Sequence, residues 1–348
     1  MSTVSFPNLS NGFQSSALKR IETDIEAVEC ELREQLQSQV PLVANIGRHV
    51  MDAGGKRLRP AFVLLCARAA GGCFDASRAY PLAACMEMIH MATLMHDDVI
   101  DNAGTRRGRS TASATFGNTG TILTGDVLLA KAMWILAEDG DLEMIRTVSR
   151  SVVELAEGEV RELEYRNRFD VNESEHMETL RMKTASFIQC CCEVGARLAG
   201  ASDEVRDSLA RYGHHVGLAF QIIDDLLDYR GSDRVTGKPR ATDFREGCAT
   251  LPLIFLSERL NPDEREFAEA KFGNGVADDD INVLCGWMRE RGAFERADAM
   301  ARLNIERAKE VLQPILDSAS LGLLLTAAER TWHRILRLPS SSRREAQY

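Results

Sequence analysis

The sequence predicts an all-α protein. Apolar residues recur at three- and four-residue spacing almost throughout. No segment alternates apolar and polar residues up to a hairpin turn. Only 9 prolines interrupt 348 residues in which Leu, Ala, Glu, Arg and Met are plentiful, a mixture that favours helices. Leu18, Ile21, Ile25, Val28 and Leu32 mark a first amphipathic helix. Val40–Met51 reads as a second, ended by Gly54-Gly55, and Pro60–Ala70 as a third, stopped by Gly71-Gly72. A long apolar stretch, Ala76–Asp101, makes a fourth. Further helices are expected over Thr119–Glu138, Leu142–Arg166, Glu175–Leu198 and Glu204–Tyr229. The more polar last third gives Leu251–Leu260, Pro262–Lys271, Asp280–Arg291, Ala293–Asp317 and Leu321–Leu338. The acidic run Asp278-Asp279-Asp280 reads as a loop and helix cap. We expect one domain over 1–348, with flexible ends at 1–16 and 339–348.

Composition narrows the function. Acidic residues outnumber basic ones 52 to 42, and a net charge of −10 argues against nucleic acid, which is bound through basic patches. No run of about 18 uncharged apolar residues is present, so no membrane span is expected. The first sixteen residues lack the apolar core of a secretory signal. The nine cysteines show no C-x-x-C spacing, and neighbours such as Cys190, Cys191 and Cys192 diverge by about 100° around a helix. They read as buried, reduced thiols in a cytoplasmic protein.

Two segments break the apolar pattern in the same way: His96-Asp97-Asp98-Val99-Ile100-Asp101 and Gln221-Ile222-Ile223-Asp224-Asp225-Leu226-Leu227-Asp228. Each is D-D-x-x-D within an apolar helix. Asp97 and Asp101 share one helix face, as do Asp224 and Asp228. Like charges at that spacing repel, and burial raises the cost, so a cation must offset them. Hard oxygen ligands without nearby Cys or His suggest Mg²⁺, which takes one or two carboxylates together with substrate phosphates.

Basic residues cluster close to these carboxylates in the sequence. Gly54-Gly55-Lys56-Arg57-Leu58-Arg59-Pro60 stands at a helix boundary, where glycines let backbone N–H groups approach an anion. Gly104-Thr105-Arg106-Arg107-Gly108-Arg109 follows the first carboxylate segment, and Lys183-Thr184 and Lys238 flank the second. Such groups in an acidic protein point to phosphate binding.

With these segments in view, the chain resembles the trans-isoprenyl diphosphate synthases, the polyprenyl synthetase family. The matching segments are GGKRLRP (54–60), EMIHMATLMHDDVID (87–101), RRGRST (106–111), GNTGTILTGD (117–126), GEV (158–160), KTASF (183–187), FQIIDDLLD (220–228), GKP (237–239) and TLP (250–252). The resemblance implies the isoprenoid synthase fold: a bundle of long helices around a deep central cavity, usually in a homodimer. It implies condensation of isopentenyl diphosphate with an allylic diphosphate. By that resemblance Lys56, Arg59, His90 and Arg107 form the isopentenyl diphosphate site. Arg106, Lys183, Thr184, Gln221 and Lys238 form the allylic site. Asp97, Asp101, Asp224 and Asp228 hold metal, three Mg²⁺ in all, with Asp98 and Asp225 behind them.

Two departures stand out. The family usually has lysine after the Glu-Gly that precedes TLP, where this chain has Cys248, and it often has glutamine where this chain has Glu162. A terpene cyclase would lack GGKRLRP and the second D-D-x-x-D. A non-catalytic subunit would be expected to have lost carboxylates or basic anchors. Product length is read from the residues before Asp97: Ala92 and Thr93 are small, and Met88, Ile89, Met86 and Cys85 further along are not aromatic. Phe187 and Trp134 are aromatic candidates on other helices. The local segment resembles long-chain, octaprenyl-type synthases, with a short-chain enzyme as the alternative.

Overall fold

A computed structural model of the chain describes residues 12–71, 73–231, 240–315 and 319–333. The elements run α1 (Gly12–Gln35), α2 (Pro41–Asp52), α3 (Leu58–Ala69), α4 (Ala76–Ile100), β1 (Thr105–Arg106), β2 (Arg109–Ser110), α5 (Ala112–Phe116), α6 (Asn118–Asp139) and α7 (Leu142–Tyr165). They continue with α8 (Glu173–Leu180), a π turn (Arg181–Ala185), α9 (Ser186–Leu198), α10 (Asp203–Arg230), α11 (Thr242–Arg245) and α12 (Leu251–Ser257). The last are α13 (Pro262–Lys271), α14 (Asp278–Glu290), α15 (Ala293–Glu310) and α16 (Ala319–His333). The all-α expectation stands. The ends 1–11 and 339–348 lie outside the described residues; α1 begins at Gly12, within the stretch read as a flexible end.

The contacts gather into two compact units. The first comprises described residues within Met1–Val152, Cys190–Ala210 and Leu312–Leu324; the second, those within Val153–Gln189, Arg211–Val311 and Leu325–Tyr348. In the first, α4 packs against α1, α3 and α6. It is buried on most sides: Leu82, Met86, Met88 and Met95 have 1% exposure or less. Asp24 fastens three helices, accepting two hydrogen bonds from Arg68 at 2.7 and 2.8 Å and one from the Tyr80 hydroxyl at 2.9 Å. In the second unit, Ile222, Leu226 and Tyr229 of α10 share a core with Phe244, Leu251, Phe255 and Ile281.

α6 bears on the expectation of no membrane span. By length and composition it could cross a membrane, although it carries Asp126 and Lys131. It nevertheless buries Thr121, Thr124, Gly125, Leu128, Ala132 and Leu136. At Gly125 an added Cβ would stand 2.4 Å from Nε2 of His96 on α4, and the Cys85 thiol donates to the Ala132 carbonyl. α6 packs one face into the core of its unit, and Leu123 and Trp134 lie exposed on the other.

Other differences are local. The two-residue ladder β1–β2 is too short for alternation to reveal it; Arg107 and Gly108, both at positive φ, form its two-residue turn. The helix expected over Glu175–Leu198 contains the π turn. The aspartates 278–280 occupy the first turn of α14, and the Asp280 carboxylate accepts from the Ala277 N–H and from Lys271. α12 stops at Ser257 and α15 at Glu310, short of their expected ends. Cys66, Cys85, Cys190, Cys191, Cys192 and Cys285 are buried, but Cys30 and Cys73 are exposed.

Gly195 shows how tightly α9 lies on α3. A Cβ there would approach the Val63 carbonyl oxygen to 2.2 Å, whereas one at Gly286 in α14 meets nothing within 4 Å. Gly195→Ala should therefore destabilise the protein by about 1–3 kcal/mol, and Gly286→Ala should stabilise it by up to about 1 kcal/mol. Chemical denaturation of both variants checks the contrast; equal shifts would rule out the close α3–α9 contact.

Candidate active site

The isopentenyl diphosphate residues expected from the sequence fall in the first unit, around a turn built by local strain. Arg57 adopts a left-handed backbone conformation (φ 47°) at the start of α3. Its guanidinium donates to Glu29 at 3.2 Å, to Glu87 at 2.9 Å and to the Met51 carbonyl at 3.3 Å. One buried side chain thus ties α1, α2 and α4 to the glycine-rich turn. Gly55 leaves room for this crowding: a Cβ there would stand 3.0 Å from an Arg107 nitrogen and 3.2 Å from one of Arg57.

The short hairpin supplies the other arginines. Arg106 donates to Asp98 at 2.7 Å, and Arg107 occupies the turn at φ 53°. Such backbone costs of order 1 kcal/mol or more for a non-glycine residue and is characteristic of functional sites. The hairpin is anchored by His49 on the Ser110 carbonyl at 2.8 Å and by Arg109 donating to the Asp52 carbonyl at 2.6 Å.

Electrostatics follow from burial among cations. The His90 imidazole is held well below its usual pKa by burial and by Arg59, Arg107, Arg106 and Arg57, so it is neutral near pH 7. Burial also lowers the pKa of Arg59 and Arg107. Among the described residues, Nδ1 of His90 and Oε2 of Glu87 are buried without a hydrogen-bond partner, one turn apart on α4. Lys56 stands in the same turn as Arg57 and is exposed.

The six aspartates divide by their partners. Asp98 is buried and bound by Arg106. Asp225 is buried between His176 at 2.9 Å and the Gln221 amide at 3.3 Å. Asp228 accepts the Thr242 and Asp243 N–H groups, each at 3.1 Å, so it can offer a metal only its remaining lone pairs. Asp97 and Asp224 are half-buried, and Asp101 is exposed at the C-cap of α4. Among the described residues no three His, Cys, Asp or Glu side chains gather into a metal site. Accessible aspartates one turn apart fit Mg²⁺, which completes its octahedron with water and phosphate oxygens.

The expected allylic residues divide between the units. Arg106 belongs to the first; Lys183, Thr184 and Gln221 belong to the second. Lys183 lies in the π turn and pairs with Glu159 at 3.0 Å and with Glu162. Thr184 donates to Gln221 at 3.1 Å, continuing the chain to Asp225 and His176. Lys238 lies outside the described residues.

Before Asp97, Thr93 is half-buried in line with His90 and Asp97, while Ala92, Met88 and Ile89 are fully buried. Trp134 is 66% exposed and donates to Glu138, so it closes no internal cavity of its unit.

The sequence offered no signal for His176 beyond an ordinary helix position, and Glu87 stood inside a quoted motif without a role. Arg57 stood inside a quoted motif without a role. Asp243, whose carboxyl is raised well above its usual pKa by burial and by Asp228, was also missed.

These carboxylates and guanidiniums are the equipment of a diphosphate-handling enzyme. The chain belongs to the polyprenyl synthetase family, whose model matches residues 40–285. It is a trans-prenyl diphosphate synthase, a prenyltransferase of the family whose substrates are isopentenyl and allylic diphosphates. It is 35% identical to heptaprenyl diphosphate synthase component 2 of Geobacillus stearothermophilus, over 87% of this chain and 93% of that one. It is 34% identical to octaprenyl diphosphate synthase of Escherichia coli K12, over 88% and 96%. A crystal structure of decaprenyl diphosphate synthase from Rhodobacter capsulatus superposes with a TM-score of 0.87 at 31% identity, covering 92% of this chain and 99% of that one. A polyprenyl synthase from Caulobacter crescentus, complexed with calcium and isoprenyl diphosphate, gives 0.86 at 32% identity, covering 94% and 99%. The family is metal-dependent.

The buried Arg57–Glu87 pair should be costly to break. Arg57→Met leaves Glu87 without its closest cation and should lose about 3 kcal/mol. Adding Glu87→Met should restore part of that loss. Urea denaturation of the single and double variants measures it; additive losses would show that the two side chains act independently.

Proposed function

We propose that this chain condenses isopentenyl diphosphate head to tail with an allylic diphosphate, using Mg²⁺, and extends all-trans products beyond C20, to roughly C30–C40. The observation that carries this reading is that both D-D-x-x-D segments and both arginine-rich segments stand complete in a member of this family. The family match runs through both compact units, which supports one polyprenyl synthetase domain.

In this mechanism Lys56, Arg59 and Arg107 bind the diphosphate of isopentenyl diphosphate, and neutral His90 adds a hydrogen bond without adding charge. Arg106, Lys183, Thr184, Gln221 and Lys238 hold the allylic diphosphate. Asp97, Asp101, Asp224 and Asp228 would hold three Mg²⁺. When bound, the metal neutralises charge that builds on the leaving diphosphate. As the allylic C–O bond breaks, Arg106, Lys183 and Lys238 stabilise the departing anion. The double bond of isopentenyl diphosphate attacks the allylic cation, and the proton released passes to diphosphate. No protein nucleophile takes part; the side chains orient the partners and exclude water.

Long products are supported by small Thr93 one turn before Asp97 and by the long-chain relatives. One helical turn rises about 5.4 Å, close to one isoprene unit, so the first obstruction along α4 counts units. On α6, Leu123 (58% exposed) and Trp134 present apolar surface that supports a homodimer. The relative that is one component of a heptaprenyl synthase favours a second reading, a subunit that needs a partner.

Purified chain with Mg²⁺ and labelled isopentenyl diphosphate should elongate an allylic primer unaided. Failure without an added partner chain would favour the second reading. Asp97→Ala and Asp224→Ala should each lower kcat by about 100-fold or more while the fold survives. Near-normal turnover would remove these residues from the site. Arg59→Ala should raise KM for isopentenyl diphosphate by about 10- to 150-fold with little effect on the allylic KM. Chromatography of dephosphorylated products should show wild-type chains beyond C20 and shorter ones for Thr93→Phe. An unchanged pattern would place the chain-length limit elsewhere.

A further inference from the structure

Lys183, read above as a ligand of the allylic diphosphate, is held by two carboxylates of its own unit. Its three N–H donors must serve Glu159 at 3.0 Å, Glu162 and any incoming phosphate oxygen. The arrangement is built rather than incidental. Glu159 and Glu162 lie one turn apart on α7, and the π turn brings Lys183 to them. Gly158 permits that approach: a Cβ there would meet the Lys183 backbone nitrogen at 2.7 Å. The trio carries a net charge of −1, so the one lysine of the described allylic set presents an anionic face to an anionic substrate.

Cys248, Arg245 and Arg161 do not cancel that charge. The Cys248 thiol is pushed up to about 12 by burial and by Glu162 and Asp243, and is neutral near pH 7. Arg245 is committed to the Arg240 and Val276 carbonyls at 3.0 and 2.8 Å and to Asp278 at 2.5 Å. Arg161 lies over the Tyr165 ring at 5.3 Å.

We propose that Glu162 is a specificity-determining positioning residue: it competes with the allylic diphosphate for the Lys183 ammonium and weakens the hold on that substrate relative to isopentenyl diphosphate. Cys248, neutral near pH 7, supplies no cation to Glu162 from position 248. Removing the charge at 162, or placing a cation at 248, frees Lys183 for the substrate by the same route.

Glu162→Gln keeps the shape and removes the charge. It should lower KM for the allylic diphosphate by about tenfold, leave KM for isopentenyl diphosphate unchanged and alter kcat less than about threefold. The gain should shrink at high salt. It should vanish in a Lys183→Gln background. Cys248→Lys should also tighten allylic binding, but add little to Glu162→Gln. Calorimetric titration with inorganic diphosphate and Mg²⁺ reads the same gain without turnover. An inactive wild type would therefore favour the partner-requiring reading and leave this one still measurable. Unchanged diphosphate affinity in Glu162→Gln, an equal gain without Lys183, or a loss of kcat at constant affinity would each overturn the proposal. Circular dichroism confirms folding, and Glu162→Ala, which should act in the same direction, guards against a defect peculiar to glutamine.

Discussion

A carboxylate taken out of water must be met by positive charge or hydrogen bonds, and that requirement organises both aspartate segments. Asp98 is met by Arg106, Asp225 by His176 and Gln221, and Asp228 by two backbone N–H groups. Each of these partners in turn fixes an element: the hairpin through Arg106, α8 through His176, and the start of α11 through residues 242–243. Asp97, Asp224 and Asp228 are half-buried and Asp101 is exposed, whereas Asp98 and Asp225 are buried.

The same requirement works in reverse for the cations. Four arginines and a neutral histidine lie close together in a protein of net charge −10. Their mutual repulsion is offset within the unit by Glu29 and Glu87 beneath Arg57, and by Asp98 beneath Arg106. Glu87 serves as an internal counterion. It is buried, with one oxygen unpartnered among the described residues, and pairs with Arg57.

The helices were legible because their apolar spacing is strong, and α4 and α10 were legible because that spacing runs on through both D-D-x-x-D segments. The hairpin at 105–110 was not, since two paired residues carry no periodicity. The π turn was not, since Arg-Met-Lys-Thr-Ala contains neither proline nor glycine to mark it. Among the candidate site residues, the aspartates and motif arginines were nominated from their chemistry and spacing. Glu87, His176 and Asp243 could not, because their meaning comes from partners distant in sequence: Glu87 from Arg57, thirty residues away, and His176 from Asp225, forty-nine away.

The π turn constrains how this sequence can vary. A π turn holds one residue more than the α-helical turn it replaces, so it acts as a phase shift between α8 and α9. Deleting one residue from 181–185 would restore regular phase and rotate everything on one side of it by about 100°. Either the buried face of α9 or the side chains of α8 would then point the wrong way. Single-residue insertions and deletions should be purged from this segment even where substitutions are tolerated, so its length is more strictly heritable than its composition.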